Sequence, residues 1–104
     1  MKRLLYLCLL LTATAFAADP EFTLVIRDHR FEPAELTVPS GKKIKLIVQN
    51  QDATPEEFES KELNREKVIA GKSSASIFIG PLKPGRYEFI DDFHPETKGV
   101  VVVK

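Results

Sequence analysis

The sequence predicts an all-β protein, a Greek-key β-sandwich, from three observations. Apolar residues alternate with polar or smaller ones in four segments: Phe22, Leu24 and Ile26; Ile44, Leu46 and Val48; Ala75, Ile77 and Ile79; and Tyr87 with Phe89. A period of two marks strands with one buried face. Turn-forming clusters separate the segments: Pro39-Ser40-Gly41, Gly80-Pro81 and Lys83-Pro84-Gly85. The third observation is Leu82-Lys83-Pro84-Gly85-Arg86-Tyr87, which has the spacing of a tyrosine corner. In that device a Tyr opening a strand returns its hydroxyl to the backbone a few residues upstream. An ordinary Pro-Gly turn ahead of a strand has the same appearance. Strands of this length and spacing are expected to pair antiparallel.

Taken in order, the chain opens with Lys2 and Arg3, an apolar run from Leu4 to Leu11, and Ala15-Phe16-Ala17. This is the layout of a secretory signal peptide, with cleavage expected after Ala17, and the run is too short to span a bilayer. Cys8 lies inside that run with Tyr6 and Leu7 ahead of it, which does not fit a lipoprotein signal, so no stable membrane anchor is expected. Residues 18–104 then form a single domain. Cys8 is the one Cys of the chain, so the exported domain has neither a disulfide nor a thiolate ligand or nucleophile.

Thr54-Pro55-Glu56-Glu57 carries a competing signal: Thr as helix N-cap, Pro in the first turn and Glu at the reciprocal capping position. The apolar residues that follow, Phe58, Leu63 and Val68, are five apart and spread around a helix instead of forming one stripe. A loop and short strands, with at most one helical turn, are expected there. The closing run Gly99 to Lys104, with four consecutive Val, reads as a strand buried on both sides or covered by the other sheet.

Without Lys2 and Arg3 the formally neutral chain becomes slightly acidic, which gives no reason to expect nucleic acid or an anionic membrane as partner. No phosphate-cradling glycine loop is present, and Ser73, Ser74 and Ser76 have no His in a suitable context. The chemistry is left to two His and the carboxylates at strand ends. Asp91 continues the phase of Tyr87 and Phe89, so a regular strand would point its carboxylate inward, where an unpaired charge is costly. A metal cation, a His or a Lys would compensate it, and His94 and Glu96 are near in sequence. Alternatively the strand ends at Ile90 and Asp91-Asp92 is a solvated loop.

From Phe22 to Lys104 the chain resembles a cupredoxin, the sandwich of small blue copper proteins. The matching residues are Phe31-Glu32-Pro33, Val38-Pro39-Ser40-Gly41-Lys42-Lys43-Ile44, Asn50-Gln51-Asp52, and Leu82 to Phe89 leading to Phe93-His94-Pro95. In that family two His, a Cys and usually a Met converge at one end of the sandwich. Carried over, the second His falls on His94, the Cys position on Asp91 and the first His on Glu56; Thr97 and Lys98 stand where the Met would be sought. The resemblance therefore implies that a blue type 1 copper site cannot form. It implies instead an oxygen-rich metal site of Glu56, Asp91 and His94, with Glu57 or Glu96 as further candidates. Such a set suits copper(II) or iron, with manganese as a third candidate, and favours the more highly charged ion of a redox pair. The turn Asp28-His29-Arg30 is expected at the same end, with His29 as a fourth ligand, a gate, or a plain surface His.

The stretch Thr54 to Ser60, together with Leu63 to Val68 and Gly80-Pro81-Leu82, is most similar to the small periplasmic cupredoxin-like proteins of bacterial iron-uptake operons, the EfeO-type cupredoxin domain. This implies a periplasmic protein that binds copper or iron and assists iron uptake by binding and oxidising Fe(II). The implied partners are an iron permease and a periplasmic metal-binding protein. Two alternatives stay open: a carrier without redox activity, and a metal-free interaction module.

Overall fold

The computed structural model describes residues 18–104; the signal segment expected over residues 1–17, with Cys8, lies outside them. The described residues form nine strands and no helix: β1 (Glu21–Arg27), β2 (Arg30–Glu32), β3 (Glu35–Val38), β4 (Ile44–Asn50), β5 (Glu56–Ser60), β6 (Arg65–Ile69), β7 (Ser74–Ile79), β8 (Gly85–Asp91) and β9 (His94–Val103). One sheet runs β2-β1-β4-β7 and the other β3-β9-β8-β5-β6. Their facing sides make one core, to which Leu24, Leu46 and Ile79 contribute from the first sheet and Phe58, Phe89 and Val101 from the second. The alternating segments supply it directly: Ile44, Leu46 and Val48 are all buried in β4.

The sheets are mixed, where antiparallel pairing was expected. β1 lies parallel to β4, with Leu24 opposite Val48, and β3 lies parallel to β9, with Leu36 opposite Val101. The cause is the crossover: the chain leaves the first sheet after β2, spends β3 in the second, and re-enters the first at β4. β2 runs antiparallel to β1, and β4, re-entering on the other side of β1, runs opposite to β2 and so parallel to β1, a relation that alternation along single strands does not reveal.

The helix-start signal at Thr54 does not produce a helix. Glu56, Phe58 and Ser60 are buried on one side of β5, and a strand is the conformation that puts all three there. The tyrosine corner forms, with the Tyr87 hydroxyl donating to the Lys83 carbonyl at 2.8 Å. The valine run is the C-terminal part of β9, held between β3 and β8, with Val101 and Val103 buried. Three rings pack together beside Asp91, the β8 partner of Phe58: Phe58 stacks on Phe89 with centroids 4.9 Å apart, and Phe31 meets Phe89 edge-on at 4.7 Å. Gly99 faces Phe89 across the sheet, and a Cβ there would collide with that ring.

Candidate metal centre

Three elements bring the candidate ligands together. His29 is in the two-residue turn between β1 and β2, Glu56 opens β5 and His94 opens β9. His94 follows a turn of only two residues, Asp92-Phe93, since Asp91 and His94 already face each other as partners. The Asp91 side chain makes this turn tight: its Oδ1 accepts the Phe93 N–H at 3.1 Å and the Glu57 N–H at 3.0 Å.

The Glu56 carboxyl group faces both imidazoles, one oxygen toward each. His29 Nδ1 is 2.8 Å from Glu56 Oε1, and His94 Nε2 is 3.6 Å from Glu56 Oε2. The ring centroids of His29 and His94 are 3.9 Å apart, and one ligand atom from each of the three residues falls within 4.8 Å of the others. Glu56 is fully buried, while the His29 and His94 side chains are 46% and 32% exposed, so the cluster has an anionic floor and an open imidazole rim.

Asp91 is inward-facing and fully buried, as its phase in the strand predicts. It stands against Glu56, outside the three-residue group. Glu56 Oε2 and Asp91 Oδ2 are both buried with no hydrogen-bond partner. Two buried carboxyl oxygens without donors are costly when both groups are ionised, and a metal cation would relieve both, as does a proton held on Glu56. Two imidazole nitrogens with carboxylate oxygens suit copper(II), iron or zinc.

The other two candidates do not join this group. Glu57 follows Glu56 in a strand, so it points to the opposite face of the sheet, where the Glu66 carboxyl is the group that acts on it most. Glu96 is exposed along β9. The residue that sequence reasoning passed over is Asp52, whose carboxylate receives the backbone of the His29 turn. Its position after Asn50 was visible as part of a motif, but its contact with residues more than twenty positions away was not.

Burial chiefly, then the neighbouring Asp91 carboxyl, pushes the Glu56 carboxyl up to about 7, with His29 acting in the other direction. His29 is itself raised, mainly by its hydrogen bond to Glu56. Both groups therefore hold protons that a metal must displace. Apparent affinity for Cu(II) is expected to fall as pH drops below about 7, by about tenfold per pH unit for each proton released. Competition titrations between about pH 5 and pH 8 check this, and a flat profile would exclude Glu56 from the site.

The fold is a two-sheet β-sandwich in which imidazoles and a carboxylate from separate turns and strand ends gather where they could hold a metal ion. The chain belongs to the cupredoxin-like domain family, whose model matches residues 3–103. A protein of Rickettsia prowazekii (strain Madrid E), RP394, is 46% identical over 84 residues, covering 80% of this chain and 67% of that protein. Among solved structures, the metal-binding domain of the Cu(I)-exporting P-type ATPase CopA of Streptococcus pneumoniae D39, with Cu(I), superimposes with a TM-score of 0.70 at 17% identity, over 81% of this chain and 84% of that one. A purple cupredoxin from Nitrosopumilus maritimus gives a TM-score of 0.62 at 18% identity, over 79% and 98%. At these identities the structural likeness speaks for the fold.

Proposed function

We propose that the chain binds one copper or iron ion through His29, Glu56 and His94, with the buried Asp91 carboxyl behind them, and that it assists iron uptake in the periplasm by binding and oxidising Fe(II) for a permease. The observation that carries metal binding is the pair of donorless, buried oxygens on Glu56 and Asp91 beside two imidazoles. Residues 18–104 contain no Cys, which supports a site without the intense copper–thiolate absorption of a blue one. A copper ion held there would supply a one-electron couple for Fe(II), Cu(II) being reduced to Cu(I) as Fe(II) becomes Fe(III), with dioxygen as the oxidant that would restore Cu(II). The protein's own contribution is a fixed anionic floor, which favours the more highly charged ion of a redox pair. An iron permease and a periplasmic metal-binding protein are the proposed partners.

The partly exposed His29 and His94 also suit a carrier that releases its ion to a partner without redox chemistry. Calorimetry and EPR with Cu(II), followed by aerobic Fe(II) oxidation by the copper-loaded protein, separate these functions. Stoichiometric binding that His94→Ala abolishes is expected, with an oxidation rate above that of free copper. Binding with a rate equal to the control would leave the carrier function, and no binding would overturn both.

A further inference from the structure

We propose that Asp52 is the positioning residue that holds His29 in the metal site, acting through the backbone of the β1–β2 turn. The proposal rests on the metal-binding function above and adds to it what keeps an exposed imidazole on target.

Arg27 and Arg30 close the hairpin as cross-strand partners, so Asp28 and His29 alone form the loop. Both are left-handed, with φ of 52° and 56°. Two-residue loops of this kind favour Asn and Gly, and a His at the second position is disfavoured. Left to its own preferences, the turn would not hold the ring in one place.

The Asp52 carboxylate supplies the missing constraint. Its Oδ1 accepts the Asp28 N–H at 2.8 Å and its Oδ2 the His29 N–H at 3.0 Å. Two successive N–H groups converging on one anion form a nest, and a charged acceptor makes such hydrogen bonds strong. The same Oδ2 is 3.6 Å from His29 Nδ1, too far for a hydrogen bond, so the ring nitrogen stays directed at Glu56. From β9, the Thr97 hydroxyl donates to the His29 carbonyl.

Asp52 is itself held. Its N–H donates to Asn50 Oδ1 at 2.9 Å, and its carbonyl accepts the Lys72 N–H at 2.8 Å. Asn50 Nδ2 donates in turn to the Thr54 carbonyl at 2.8 Å and the Ile69 carbonyl at 3.1 Å. One braced segment therefore sets the position of the His29 turn and of the chain leading into Glu56.

The test compares the full exported chain with its Asp52→Ala and Asp52→Asn variants, using Cu(II) as the probe. Pulsed EPR counts coupled imidazoles, and NMR of the metal-free protein reads the His29–His94 ring contact. Asp52→Ala is expected to lose one imidazole coupling, the ring contact and about 10–100-fold in Cu(II) affinity. Asp52→Asn, with one acceptor oxygen for two N–H groups, should lose less. Two coupled imidazoles, or an unchanged ring contact, in Asp52→Ala would overturn the proposal, including the case where the variant merely melts earlier. Should Asp52→Ala not fold, wild-type affinity together with the wild-type ring contact in Asp52→Asn overturns it. If the unaltered chain takes up no Cu(II), the function above fails, and the ring contact alone decides the role of Asp52.

Discussion

Glu56→Gln is expected to weaken Cu(II) binding by about 100-fold or more, the upper end of what even outer-sphere changes cost, and at the same time to raise the melting temperature of the metal-free protein. The two effects have one cause. Ionised, Glu56 is the central anion between His29 and His94, and a neutral amide cannot replace that charge as a ligand. In the metal-free fold the same charge is a burden, because it is fully buried beside a second carboxyl.

The stabilising effect of Glu56→Gln depends on pH. A carboxyl at about 7 in the fold and near 4.3 when unfolded binds its proton more tightly when folded. Its ionisation therefore costs no stability below the unfolded value, and the cost accumulates as pH rises toward 7. A Gln amide avoids that cost and can donate to Asp91 Oδ2, which has no partner. The gain should be about 1 kcal/mol, or about 4–8 °C for a domain of this size, at neutral pH, and should vanish near pH 4. Calorimetric melts of both proteins at the two pH values, with Cu(II) titrations at neutral pH, provide the check. Equal affinities would remove Glu56 from the site.

Phe58→Ala should produce the largest loss of stability, about 3–5 kcal/mol. Phe58 is completely buried, stacked on Phe89 at 4.9 Å and edge-on to Phe31 at 6.4 Å. Removing it leaves a cavity walled by two rigid rings on short strands, which cannot close over it easily. For a domain without disulfides, whose total stability is about 5–15 kcal/mol, that is a large share. Urea unfolding should show a lower midpoint with an unchanged slope. A loss under about 1 kcal/mol would contradict the packing of the three rings.

The core could be read from alternation because each strand has one wet face and one dry face. Leu24, Leu46, Ile77 and Phe89 all fall where their phase puts them, and Asp91 follows the same rule. Strand direction could not be read this way, because the parallel pairings of β1 with β4 and β3 with β9 depend on crossovers between sheets. The site was legible in part for a similar reason. Glu56, Asp91 and His94 stand at positions that a family resemblance marks, but separating Glu57 from Glu56 required knowing that the segment is a strand and not a helical turn. His29 was ambiguous since its placement depends on hydrogen bonds to Asp52 and Thr97, remote in sequence.

Because His29, Glu56 and His94 come from the first hairpin, the middle strand and the last strand, an ion held by all three would tie together parts of the chain that are 27 or more residues apart. It would act as a removable cross-link in a domain without cysteines, restricting the unfolded chain as a covalent bridge does and adding stability by mass action as free metal rises above the dissociation constant. The persistence of the folded domain would then track the metal content of its compartment.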